Sequence, residues 1–334
     1  LESGVWTTST IGINSYSYSD DTASADMGFY GAKPYMVYYG NSNYANFVYS
    51  TSTDDPFIFT TSSIGGANAV GETSKMSTTY DSANTTVAVA YVAASGELRF
   101  ATSSVDLVSE EEGEEEGYDG NLPVLDTDAK TKLLWVDNVY YLAFSSSSAD
   151  GIYDVYITTS TDGSAGTWSE PQEVVTGIWG AESYGKAFFA FEYNSNDSYF
   201  GLASFATGSS RIDFTTSSDA STWSATSTVA DHLPTDGEKV RRLYLDFGTS
   251  DSYIALFYSN YDQAGGTGSY ELATSTNGSS WSTTTVAVIN NGDQDNFAGG
   301  AISGSGASRV FHTAFYETDL SDIVYSSSAD GGST

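Results

Sequence analysis

The sequence of 334 residues has no cysteine, two histidines, five prolines, and only 11 basic side chains against 43 acidic ones. Without thiols there is no disulfide framework, no Cys-ligated zinc or iron–sulfur site and no cysteine nucleophile, and two histidines leave little for another metal centre. A formal net charge of −32 works against nucleic acid and anionic membranes, because phosphate recognition depends on clustered Lys and Arg. No apolar run approaches the roughly 20 residues that span a bilayer, so membrane insertion is not expected. The chain opens at Leu1 without a signal-like apolar segment, which reads as a processed product or a piece of a longer protein. Helical periodicity is missing as well: no long window carries apolar residues at i, i+3, i+4 and i+7.

What is present is material for strands. Hydrophobic residues make up 40% and aromatics 14%, enough for a core, and β-branched and aromatic side chains fit a pleated surface. A single core stops growing near roughly 250–300 residues, so either two domains or a repeat architecture is expected. One pattern recurs along the chain: alternating apolar residues, a Ser/Thr cluster, an Asp or Asn, small residues, then often Trp. Taking Tyr49, Phe100, Ile157, Phe214, Leu272 and Tyr325 as equivalent, the steps are 51, 57, 57, 58 and 53 residues.

Each step holds about four strand-like runs separated by turn residues. The fourth unit reads as Lys186–Tyr193, Ser198–Ala206, Arg211–Ser218 and Trp223–Ala230. The fifth reads as Lys239–Phe247, Ser252–Ser259, Ser269–Thr276 and Trp281–Ile289. Four antiparallel strands per roughly 50 residues is the mark of a β-propeller blade. The fold expected is therefore all-β: one domain, 1–334, a six-bladed β-propeller of four-stranded antiparallel blades at about 24–63, 73–109, 121–176, 186–230, 239–289 and 296–334. Val5-Trp6-Thr7-Thr8-Ser9-Thr10 is similar to the fourth-strand segment Trp281-Ser282-Thr283-Thr284-Thr285-Val286. An N-terminal strand at about 5–11 is thus expected to complete the last blade and close the ring.

The turn after each third strand resembles the Asp-box repeat of the bacterial neuraminidase type, Ser-x-Asp-x-Gly-x-Thr-Trp. Ser160-Thr161-Asp162 with Gly166-Thr167-Trp168 matches with one insertion. Ser217-Ser218-Asp219 with Trp223, and Ser275-Thr276-Asn277-Gly278 with Trp281, are each one residue short. Ser328-Ala329-Asp330-Gly331 matches without its Trp, and Ser52-Thr53-Asp54 has none. The resemblance implies a sialidase-like propeller in which these residues are structural: Asp accepts backbone N–H groups, Gly allows positive φ, and Trp buries area. That family's sialidases use three converging arginines, a Tyr–Glu nucleophile pair and an Asp acid/base. Here Arg99 and Arg211 fall on third strands and Arg309 on a second strand. Only Arg241 or Arg242 falls on an innermost strand, where alternation sends one each way. The family's Phe-Arg-Ile-Pro segment is also absent, so sialidase activity is not expected.

Any site is expected on the face with the longer loops, Asn14–Ser24, Ser109–Asn121, Thr176–Gly185, Ala230–Glu238, Asn260–Thr267 and Ile289–Asn296. Trp179, Tyr184, Tyr118 and His232 are the binding candidates there, since aromatic faces stack on sugar rings. Glu182, Glu192, Glu238, Asp246 and Arg241 are the candidates for carboxylate-based chemistry, against ion pairing of Arg241 and Arg242 with Glu238 and Asp246. Glu110–Glu116, six glutamates in seven positions, reads as a solvated loop. No cofactor is expected; Ca²⁺ is a secondary reading, with Asp126/Asp128 and Asp293/Asp295 the nearest pairs. The functional expectation is a secreted or cell-surface, non-enzymatic propeller that binds a glycan or protein partner on its long-loop face as part of a larger assembly. The alternative is a glycoside hydrolase or lyase with its site over the central channel. Asn84, Asn196 and Asn277 head Asn-x-Ser/Thr tripeptides.

Overall fold

The computed structural model describes residues 25–30, 33–39, 45–50, 59–64, 76–83, 85–92, 98–104, 131–149, 152–164, 166–179, 189–206, 211–231, 238–248, 251–262, 267–290, 297–317 and 322–329. The Val5–Thr10 segment, Asp54 and Asp330 lie outside them. The described residues form antiparallel strands and one short 3₁₀ turn, Gly306–Ser308. None of their helices is long and apolar enough to cross a membrane.

The strands succeed one another as meanders. The first is β1 (Ala25–Tyr30), β2 (Lys33–Tyr39), β3 (Ala45–Ser50) and β4 (Phe59–Ile64); the second is β5 (Ser77–Asp81), β6 (Thr86–Val92) and β7 (Leu98–Ser104). Next come β8 (Thr131–Val136), β9 (Val139–Ala149), β10 (Ile152–Ser160) and β11 (Gln172–Trp179), then β12 (Phe189–Asn194), β13 (Tyr199–Ala206), β14 (Arg211–Ser217) and β15 (Ser227–Asp231). One pairing, Ile178 with Ala206, joins these two meanders into a single sheet. The last are β16 (Glu238–Phe247), β17 (Ile254–Asp262), β18 (Thr267–Ser275) and β19 (Ser282–Asn290), followed by β20 (Phe297–Ser303), β21 (Val310–Glu317) and β22 (Asp322–Ser328). Several expected bounds change. Trp223 precedes the fourth strand, which begins at Ser227, because its ring belongs to the turn rather than to the ladder. β11 runs on to Trp179, past the expected limit at 176. The second and last meanders show three strands among the described residues.

The chain divides into two compact units, residues 1–142 with 158–171 and residues 143–157 with 172–334. In the first unit, the opening strands of successive meanders lie side by side, β1 beside β5 and β5 beside β8. Side chains answer the N–H groups that the hairpin ladders leave over. Asp26 Oδ2 accepts from Thr78 N at 2.7 Å, and Ser77 Oγ accepts from Leu133 N at 2.9 Å. β6 is apolar and buried from Val87 to Val92, as expected of a strand covered on both faces. Buried Asp81 accepts from Tyr140 Oη and Ala83 N, both at 2.9 Å. Burial, then the hydrogen bond to Asp81, pushes the Tyr140 hydroxyl well above its ordinary pKa.

The second unit repeats this order in β12, β16 and β20. Asp246 takes Phe247 N at 2.8 Å with Oδ1 and Ile302 N at 2.7 Å with Oδ2. The run Ile254–Tyr258 is apolar at every position because alternation feeds two cores. Ile254, Leu256 and Tyr258 join Phe205, Ile212, Phe214, Leu243 and Phe247, while Ala255 and Phe257 join Tyr270, Leu272, Ile302 and Phe311. The repeat position that is 2% exposed at Phe214 and at Leu272 is 51% exposed at Tyr325. There the ring stacks on His312, 5.9 Å between centroids.

The Ser-x-Asp/Asn turns share one hydrogen-bond scheme. Asp162 Oδ1 accepts from Ser164 N at 2.9 Å and Thr167 Oγ1 at 2.7 Å. Asp219 Oδ1 accepts from Ser221 N and Thr222 N at 2.8 and 2.7 Å, and Asn277 Oδ1 from Ser279 N and Ser280 N at 2.9 and 3.0 Å. The Ser after the Trp closes the turn: Ser169 N donates to Thr159 O and Ser224 N to Thr216 O, each at 2.8 Å. Two of the Trp rings reach back to the preceding meander, while Trp223 lies against Phe191 of its own. Trp168 meets Phe100 edge-on at 5.3 Å, and Trp281 meets Phe214 at 5.2 Å. Gly278, at φ +69, lies so close to that Phe214 ring that a Cβ would meet it at 2.9 Å.

Trp168 is 3% exposed, so Trp168→Ala should cost about 3–5 kcal/mol in denaturant unfolding and half-buried Trp281→Ala less; equal, small losses would show that the rings do not join meanders. Hydrogen bonds from Thr167 and the Ser164 backbone lower the Asp162 pKa, and those from the Thr222 and Ser221 backbone lower that of Asp219. A depressed carboxyl contributes stability that is complete above its unfolded pKa, about 3.9, and is lost as pH falls through the folded value. Asp162→Asn with Asp219→Asn, imitating Asn277, should therefore keep the turns and flatten the decline of stability below about pH 4. An unchanged acid slope would refute that coupling.

Candidate functional site

Five strands of the second unit end at a common level. Ile152 pairs with Trp179, Ile178 with Ala206, Ala206 with Arg211, and Arg211 with Asp231. The sequence Arg211-Ile212-Asp213-Phe214 explains what this level displays. Ile212 and Phe214 enter the core shared with β16–β19, so a period of two places Arg211 and Asp213 together on the other face. A bulge opposite Ile212 and Asp213 lets β15 carry Asp231 alongside Arg211.

Arg211 Nη2 donates to Asp213 Oδ2 at 2.8 Å, and its Nε lies 2.8 Å from Oδ1, an ion pair held by one hydrogen bond. The arginine side chain is 40% exposed and the aspartate 10%, so a buried carboxylate anchors a partly exposed guanidinium. The hydrogen bond and charge of Asp213, with a further contribution from Asp231, raise the Arg211 pKa above its ordinary value. The result is a partly exposed cationic donor beside carboxylate acceptors, a combination that suits vicinal hydroxyl groups, which donate and accept at once.

The structure treats the sequence candidates unequally. Trp179 ends β11 at this level, its backbone paired with Ile152. Glu238 and Arg241 lie in β16, their backbones opposite Asp262 and Ser259. The register shifts between Arg241 and Leu243, so the simple alternation expected for Arg241 and Arg242 fails: a bulge interrupts the period. Asp246 holds two backbone N–H groups, one from the next meander. Glu192 accepts from Tyr193 N at 3.1 Å. Arg309 precedes β21 instead of lying in it, paired with Asp251 and 3.6 Å from the centroid of the Tyr253 ring. Tyr118, Glu182, Tyr184, His232, the Glu110–Glu116 run, Asp126, Asp128, Asp293 and Asp295 lie outside the described residues. No group of three or more His, Asp or Glu among the described residues could hold a metal ion. Sequence reading passed over Arg211 because it lies on a third strand; the signal was the charged–apolar–charged–apolar run itself.

No sequence-family model and no curated protein sequence matches the chain. Solved structures do. A fungal lectin from Aleuria aurantia, described as a six-bladed β-propeller with a novel fucose recognition mode, gives a TM-score of 0.57 at 11% identity over 93% of this chain and 93% of that one. The fold is a β-propeller. A variant of the same lectin in complex with Fucalpha1-6GlcNAc gives 0.58 at 12% identity, again over 93% of both chains. AofleA from Arthrobotrys oligospora gives 0.58 at 8% identity over 93% of this chain and 84% of that one. At such identities the likeness is one of propeller fold, and function has to be argued from the site.

Asp246→Ala should leave the Ile302 and Phe247 N–H groups without their acceptor and lower this propeller's stability by about 1–3 kcal/mol. Chemical denaturation measures it; an unshifted midpoint would show that the bridge between β16 and β20 carries no load.

Proposed function

We propose that this β-propeller is an extracellular glycan-binding module without catalytic activity, with its site at the ends of β11, β13, β14 and β15. The observation that carries the reading is the partly exposed Arg211–Asp213 ion pair, with Asp231 paired to Arg211 along the ladder, at the strand-end level that β11 also reaches. The fold shared with fucose-recognising lectins supports it. A cationic donor beside carboxylate acceptors suits sugar hydroxyls, which donate and accept at once.

The wider architecture in this reading is a six-bladed ring in which residues 5–11 pair with β22 as the fourth strand of the last blade. Two features support it. β22 pairs only with β21 among the described residues, and Tyr325 is exposed where its equivalents are covered. The Ser-x-Asp/Asn turns are then Asp-boxes, and the ring serves as one module of a larger surface protein. In this reading the long-loop face, to which the sequence assigns Trp179, Tyr184, Tyr118 and His232, binds the glycan or protein partner.

A glycan array with parallel turnover assays tests the proposal. Arg211→Ala and Arg211→Lys should each weaken binding about tenfold, roughly 1.4 kcal/mol, with the β spectrum unchanged, since lysine keeps the charge and loses the planar guanidinium. Undiminished binding by Arg211→Ala would sink the site. Release of reducing sugar that disappears in Glu238→Gln would overturn the non-enzymatic reading.

A further inference from the structure

Asn277 stands where the equivalent turns have Asp162 and Asp219, and it does the same work with one atom. Its Oδ1 accepts from Ser279 N at 2.9 Å, Ser280 N at 3.0 Å, Ser279 Oγ at 3.0 Å and Ser275 Oγ at 3.2 Å. An amide carries a second polar atom that a carboxylate replaces with oxygen. The Nδ2 of Asn277 donates to nothing among the described residues, and the residue is exposed. The oxygen is fully used by the turn, so the nitrogen is the atom left for water.

Asn277-Gly278-Ser279 is also an Asn-x-Ser tripeptide. So is Asn196-Asp197-Ser198, yet there the same nitrogen is engaged. Asn196 Nδ2 donates to Gly248 O at 2.5 Å and Asp251 O at 3.3 Å, tying the β12–β13 turn to the β16–β17 turn. Asn84 lies outside the described residues.

We infer that Asn277 is an acceptor for an N-linked oligosaccharide, an inference that rests on the extracellular part of the function proposed above. The transfer joins Nδ2 to the anomeric carbon of an oligosaccharide carried on a lipid diphosphate. The sugar–phosphate bond breaks, the lipid diphosphate leaves with the electron pair, and Nδ2 gives up one proton. Every hydrogen bond of the turn among the described residues survives, because none of them uses Nδ2. At Asn196 the same reaction would compete with both bonds that link two neighbouring meanders.

The full chain, fused to a secretion leader and expressed in a host that N-glycosylates, supplies the test. Peptide mapping of the secreted protein before and after peptide N-glycosidase is expected to show Asn277 occupied and converted to Asp on release. The released protein should keep its melting temperature, since the product restores the residue found at 162 and 219. Asn277→Asp should be secreted and folded without that glycan, and Asn196→Asp should leave the glycan in place. Secreted protein with Asn277 bare, or with Asn196 occupied instead, overturns the inference, as does a chain retained in the cells without any glycan. Unglycosylated protein from a bacterial host, run on the glycan array, keeps failure of the binding reading separate from failure of this one.

Discussion

Both faces of a sheet such as β16–β19 are apolar, and water tolerates neither. β17 alone sends Ile254, Leu256 and Tyr258 one way and Phe257 the other, and each large side chain left exposed would forfeit about 1.5–3 kcal/mol. A sheet built this way cannot stand alone. It must be covered by one neighbour on each face, and repetition of the same module along the chain is the cheapest supply of neighbours. Stacking raises a second demand: the outer edge of each first strand is brought close to the next module with backbone N–H groups still unpaired. Asp26, Ser77 and Asp246 meet that demand with side-chain oxygens directed at Thr78, Leu133 and Ile302.

The Ser-x-Asp/Asn turns belong to the same economy. Their local hydrogen bonds close within a few residues, but Trp168 and Trp281 are spent on the preceding module, on Phe100 and Phe214. Trp281 Nε1 also donates to Gly278 O at 3.3 Å, and Ser227 Oγ of the preceding module donates to that carbonyl at 2.5 Å. The turn is thus a fastener between modules as much as an end to a strand. Some polar positions that neither stacking nor fastening consumes lie at the sheet ends. Arg211 and Asp213 are there because Ile212 and Phe214 take the core side of β14.

Much of the fold was legible. The constant step between Phe100, Ile157, Phe214 and Leu272 located third strands, and Asp137-Asn138, at φ +50 and +64, made the two-residue hairpin turn that such residues favour. The candidate site was less so. Asp246 looked like a carboxylate available for chemistry and instead holds the backbone of β20, a partner 56 residues away. Arg241 and Arg242 looked like an alternating pair until a bulge broke the period. Trp223 looked like a strand residue because apolar size alone does not distinguish a ladder position from a turn that folds back.

What the sequence determined by itself is whatever hydrogen bonding and side-chain alternation settle within a few residues: strand against turn, which positions share a face, and the scheme common to Asp162, Asp219 and Asn277. What only tertiary structure decided is the use of each exposed atom. Whether Asn196 Nδ2 is engaged while Asn277 Nδ2 donates to no described residue, or whether Asp213 anchors an arginine while Asp246 anchors a strand, depends on groups brought together by stacking. The energy of those contacts resides in the neighbour, which a local pattern does not encode.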